Sequence, residues 1–202
     1  KGCFYRFIPN KKEHYEEGGV LQALKFVDES IWHTTKVPLD LNKPYPVEWV
    51  TIDEPDPKDF TVNKQAKSNG AAVFVRGEGA VAHEDGIYFA CTQGGAKDIG
   101  QFFKYIPNKN DDNGSIQLVF EATENGILER PDNITLNEWG DLIVCEDSQQ
   151  STNCLIGLTP EKHIYYIAGN NASEWCGACF SPDGKILFAN IQKLGMTVGI
   201  EG

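Results

Sequence analysis

Carboxylates separated by tens of residues are the part of this sequence best suited to chemistry, because repeated folding units can bring them round to one point. Counting eight positions back from the turn glycines Gly86, Gly140 and Gly184 lands on Glu78, Asp132 and Cys176. Glu174 is two residues from Cys176, on the same side of a strand, since side chains alternate face by face. Oxygen donors of this kind suit hard cations such as Ca²⁺, Mg²⁺ or Fe³⁺. The competing reading of each acid is a solvated loop residue, or a side chain accepting bonds from turn N–H groups.

Other residues could join them. Glu146 and Asp147 follow DLIVC, and adjacent acids on a continuing strand face opposite ways, so only one would reach a given ion. Asn133 offers a neutral amide oxygen, and Glu48 in PVEWVTID begins another strand. Arg76 and Arg130 each stand two places before an acid, in RGE and RPD. At a phosphate-handling site either guanidinium could clamp phosphoryl oxygens in a bidentate grip. Otherwise each is a surface residue paired with its neighbouring acid.

The elements that must position these groups read as strands. Short apolar runs lie between Gly, Pro, Asn and Asp, at 3–8, 21–27, 48–52, 71–75, 87–91, 102–106, 116–121, 134–136, 142–145, 155–158, 164–168, 178–180 and 186–190. Residues 53–69 form a long polar break that reads as a linker or a loop over one face. GCFYRFIPN and GQFFKYIPN place Pro9 and Pro107 98 residues apart, and NCLIGLTPE puts Pro160 another 53 on. The turn glycines of the interleaved series are 54 and 44 residues apart. A turn–strand pattern returning at that interval is the blade length of a β-propeller. The expected fold is therefore all-β: about four blade repeats over residues 1–202, starting in mid-blade, in a small or incomplete ring. Another chain or further blades would complete the ring, and a sandwich is the alternative.

Composition excludes several classes. A net charge of −11 argues against nucleic acid, whose phosphates demand a basic surface. No run of eighteen apolar residues suggests a membrane span. The opening KGCFYRFIPN reads as a strand rather than a signal peptide, so a mature or excised piece is expected. TQGGAKDIG lacks P-loop spacing, there is no G-x-S-x-G, and His14, His33, His83 and His163 form no metal motif. Of the six cysteines, Cys176 and Cys179 form a C-x-x-C without the second pair a zinc site needs. The six cysteines as a set read mainly as small buried hydrophobes, with one disulfide, or a catalytic, redox or metal role, as alternatives.

Several stretches together resemble the PhoX-like secreted alkaline phosphatases: FVRGEG at 74–79, FACTQGGAKDIGQFFKYIP at 89–107, ERPDNITLNEWGDLIVCEDS at 129–148 and LIGLTP at 155–160. SEWCGACFSPDGKILFANIQ at 173–192, followed by GMTVGIEG, carries the resemblance furthest. It implies a propeller, calcium-dependent hydrolysis of small phosphate monoesters, an iron and calcium cluster in the central channel, and export to the periplasm or beyond the cell. It also implies that Glu78, Asp132, Asn133, Glu146, Asp147 and Glu174 belong to the family's acidic motifs, with Glu48 at a further acidic position. The family's site draws as well on earlier blades, including a cysteine ligand, that this sequence does not clearly supply. A metal-binding or interaction propeller without catalysis, and a propeller lactonase or esterase, are the alternative functions.

Overall fold

The computed structural model describes residues 1–124, 127–148 and 152–201. Its strands are β1 (Tyr5–Pro9), β2 (Gly19–Phe26), β3 (Tyr45–Thr51), β4 (Gly77–His83), β5 (Gly86–Cys91), β6 (Gln101–Pro107) and β7 (Gly114–Glu121). They continue with β8 (Pro131–Leu136), β9 (Leu142–Glu146), β10 (Asn153–Leu158), β11 (Ile164–Asn170), β12 (Trp175–Phe180), β13 (Ile186–Ile191) and β14 (Met196–Glu201). Three antiparallel sheets result: β1-β2-β3-β7-β6-β5-β4, then β11-β10-β9-β8, then β12-β13-β14. The fold is all-β and propeller-like, and the ring is incomplete.

The stacking follows from side-chain alternation. On β5, Phe89 and Cys91 enter one core with Leu24, Phe26, Phe74 and Phe103, while Ala90 faces the second sheet beside Ile134, Val144 and Ile156. On β9, Leu142 and Val144 face the first sheet, and Ile143 and Cys145 pack against Trp175, Leu187 and Ala189 of the third. With both faces covered, every residue of β9 is buried. That is why DLIVC reads as a continuous apolar run. The far face of the third sheet is uncovered, and the cross-strand pair Cys179 and Phe188 is exposed there.

The first sheet curls. Phe4, just before β1, stacks on Phe89 of β5 with ring centroids 4.3 Å apart, and the Trp49 indole N–H donates to the Tyr105 hydroxyl at 3.2 Å. Strands β1–β3 extend the outer edge of the β4–β7 meander, because β3 pairs with β7 through Tyr45–Ile116 and Val47–Gly114.

Two local expectations change. Residues 71–75 form no strand: Val73 and Phe74 make isolated bridges to His33 and Gly2, sealing the seam of the curled sheet. Within the polar break, helix α1 (Val62–Ser68) starts where the Thr61 hydroxyl accepts from the Lys64 N–H. It is held by Gln65, whose amide donates to the Glu54 and Phe60 carbonyls. Seven residues are too few for a helix to stand alone, so this one depends on burying Gln65 and Ala66.

Candidate functional site

The innermost strands of the three sheets are β4, β8 and β12, and β8 lies between the other two. All three carry a register irregularity at corresponding places: between Gly77 and Ala80, Pro131 and Ile134, and Cys176 and Cys179. The unpaired residues are therefore Glu78-Gly79, Asp132-Asn133 and Gly177-Ala178. Bulges of this kind re-aim side chains where a ladder meets a functional site. Glu78 and Asp132 are structural equivalents, as their spacing implies. The third equivalent is Gly177, not Cys176, because the turn glycines sit at slightly different points of their hairpins.

The bulges fit against one another. A Cβ at Gly79 would come within 2.8 Å of the Asp132 carbonyl oxygen and the Asn133 Cα, so only glycine lets β4 approach β8 this closely. Gly177 has φ +61°, and a Cβ there would meet the Asn190 amide at 2.6 Å. Asn133 Oδ1 accepts the Ala178 N–H at 2.8 Å, tying β8 to β12. One of the two lone pairs of its amide oxygen thus serves positioning.

Four carboxylates converge on this junction. Burial raises the Asp132 carboxyl above its ordinary range; Glu78 and Asp147 add to the rise, and Arg76 opposes it. Burial also raises Glu174, followed by the charges of Asp147 and Asp132 and a side-chain hydrogen bond with Asp147, with Lys193 opposing. Glu78 lies 3.6 Å from the Arg76 guanidinium. Asp147 is fixed by its backbone N–H, which donates to the Arg130 carbonyl at 3.0 Å. Arg76 and Arg130 hold the same place before β4 and β8, and both have left-handed backbones, with φ 53° and 48°. Such conformations cost roughly 1–2 kcal/mol in a non-glycine residue and persist only where the surroundings impose them.

Partly buried carboxylates that raise one another's protonation are an arrangement a hard cation relieves, and their donor set is all oxygen. No three of the four bring ligand atoms within 4.8 Å of one another. They form an open acidic face rather than a closed cage, leaving room for solvent or substrate oxygens on an ion. Among the described residues, the trio that does meet that spacing is His14, Glu16 and Glu17. Glu16 and Glu17 are exposed and His14 half-buried, and the 2.9 Å contact of His14 with Glu16 accounts for the grouping.

The remaining candidates sit elsewhere. Glu146 points away from Asp147 and is buried, accepting the backbone N–H groups of Glu129 at 3.0 Å and Cys154 at 3.2 Å. Burial, with the neighbouring Glu129 charge, takes its carboxyl up to about 7 against the opposing pull of those N–H bonds. Glu48 is on β3, 3.3 Å from Lys25, and takes no part in the interactions of the four. All six cysteines are free. Burial lifts the thiols of Cys91 and Cys145 to about 12. Burial, then Glu174 and Asp132, raises Cys176 too.

Spacing gave no warning that Arg76 would also border a cavity lined by His33, Thr35 and Lys36. These residues come from a segment far away in sequence, and His33 belongs to no motif.

No helix among the described residues is long and apolar enough to cross a membrane. No curated protein and no solved structure gives a significant match to the chain. The family described as alkaline phosphatase PhoX matches residues 1–195, nearly the whole sequence. The chain belongs to the alkaline phosphatase PhoX family.

Proposed function

We propose that this chain is a cation-dependent phosphomonoesterase whose reaction takes place on the acidic face where β4, β8 and β12 meet. One observation carries this reading: the β4 and β8 bulges set Glu78, 3.6 Å from Arg76, against Asp132, whose carboxyl is raised first by burial and then by the charges of Glu78 and Asp147. Glu78, Asp132, Asp147 and Glu174 would hold the cation, with Ca²⁺ and Fe³⁺ the ions that suit an all-carboxylate donor set. Once bound, the ion supplies positive charge to the phosphate oxygens as the ester bond breaks. Arg76 orients the phosphate through paired N–H donors, and Arg130 occupies the equivalent place one blade on. In the overall step a water oxygen forms the new P–O bond and the ester P–O bond breaks. Its electron pair leaves on the alcohol oxygen, which takes up a proton.

Family membership supports export to the periplasm or the cell exterior. The uncovered face of the third sheet is where a further blade, from this protein or another, would extend the ring.

Hydrolysis of p-nitrophenyl phosphate, measured with elemental analysis, tests the proposal. Calcium-dependent turnover that EDTA removes and added calcium restores is the expected result. Bound metal without turnover would favour a non-catalytic metal-binding blade domain. Turnover of a lactone or carboxylic ester in place of the phosphate would move the reading to another hydrolase class. Undiminished turnover after complete metal removal would sink the cation dependence.

A further inference from the structure

At the opposite end of the strands that carry the acidic face, the first and second sheets enclose a cleft. Strand β9 runs from Leu142, which lines the cleft, to Glu146, so roughly 16 Å of extended chain separates Leu142 from Asp147. The polar wall is a cross-strand row: Tyr88 on β5, Lys104 on β6 and Gln117 on β7. Alternation puts this row on the face that carries Ala90, Phe102 and Val119 into the core against the second sheet. The Lys104 side chain is accordingly only 13% exposed. Leu142, Leu158 and, from the turn after β10, Lys162 complete a cavity of about 220 Å³.

The charges around this cavity do not balance. Its acid is Asp85, whose carboxylate already serves three groups. Nδ1 of His83 lies 2.7 Å from one oxygen; the other accepts the Tyr88 hydroxyl at 3.2 Å and the Lys104 ammonium. Asp85 thus answers the Lys104 charge. The Lys162 ammonium has no hydrogen-bond or ion-pair partner among the described residues, and neither has the Gln117 amide. Lys162 is half-buried and held below the ordinary lysine range, first by burial and then by the Lys104 charge. One uncompensated cation and one free amide therefore border apolar walls, in a chain of net charge −11.

We propose that this cleft is a binding site for a small monocarboxylate with an apolar body. The carboxylate meets Lys162 and the Gln117 amide, and the body lies on Val119, Leu142 and Leu158. Charge decides the class. A single negative charge balances Lys162, whereas inorganic phosphate brings more than one and gives up its hydration against apolar walls. Volume sets the size: the cavity is below the roughly 300–1,000 Å³ of sites for drug-sized ligands. Nothing in this site rests on the phosphatase reading, because none of its residues belongs to the acidic face.

Calorimetry on the full chain, with benzoate as the probe, tests the site. The wild type should bind benzoate. Benzyl alcohol, an aromatic ring without the charge, should bind about tenfold more weakly or not at all, the order expected for one charge-assisted hydrogen bond. Inorganic phosphate should fail to displace benzoate. Lys162→Met keeps an apolar stem and removes the charge; it should weaken benzoate about tenfold and leave the ligand-free melting temperature unchanged or slightly higher. Absence of benzoate binding to the wild type overturns the proposal. Equal affinity for benzyl alcohol does so too, since the cleft would then be an apolar cavity only. Displacement by phosphate overturns the carboxylate class, and undiminished binding to Lys162→Met places the ligand elsewhere. The wild-type comparisons decide the matter even if the variant fails to fold.

Discussion

Glu146 and Asp147 are consecutive acids at the end of β9, and they enter opposite environments. Asp147 turns toward Glu174 and Asp132, where carboxylates face one another with few opposing charges. Glu146 turns inward, and each of its oxygens accepts a backbone N–H. Charge type is the same, yet the hydrogen-bonding balance is reversed. The buried acid has its acceptors filled and serves the fold by joining the 129 segment to β10. Among the described residues, the acids of the open face accept no such backbone N–H groups, which is why they are the ones proposed to hold a cation. In this molecule, unmet electrostatic demand separates candidate ligands from structural carboxylates better than identity or sequence position does.

The largest expected effect is on the open face. Glu78→Gln and Asp132→Asn should each lower kcat on p-nitrophenyl phosphate by about 10²–10³, the range seen when one preorganised charge is removed from a transition state. Melting temperature should hold or rise slightly, because each change relieves like-charge repulsion. Near-wild-type turnover with full metal content would place catalysis elsewhere.

The buried acid should respond the other way. Glu146→Ala orphans two buried N–H groups, at a cost of about 2–4 kcal/mol in stability. For a chain of this size that lowers the melting temperature by about 5–10 °C. Specific activity of the folded protein should stay within about threefold. An unchanged melting temperature combined with lost metal would make Glu146 a ligand and erase the contrast with Asp147.

Much of this was legible in the residues. Alternation fixed most strand positions, and the recurring turn–strand pattern marked Glu78 and Asp132 as equivalents. Alternation also required one of Glu146 and Asp147 to turn away, but which one depended on where β9 ends, and periodicity does not define ends. Strand β4 was missed because GEGAVAH lacks the bulky residues that favour strands; pairing with β5 and proximity to β8 form it instead. Helix α1 was missed because burial of Gln65 and Ala66, rather than propensity, maintains it. The cavity beside Arg76 joins segments around residues 33–36, 75–76 and 93, and no spacing rule connects them.

The smallest effect should come from Asn133, which lies between the two environments. Its side-chain oxygen accepts the Ala178 N–H, so it acts on the open face as Glu146 acts behind it, by satisfying backbone. Asn133→Ala should cost about 1 kcal/mol and lower turnover about tenfold, because the β8 and β12 bulges lose the bond that holds them together. Asn133→Asp keeps an acceptor but adds a charge beside Asp132. Without calcium it should melt below the wild type, and saturating calcium should close most of that gap. Calcium should not recover Asn133→Ala, whose defect is a missing acceptor rather than excess charge. If both variants melt and respond to calcium as the wild type does, the Asn133 bond does not position this face. The four carboxylates would then be held by their own strands alone.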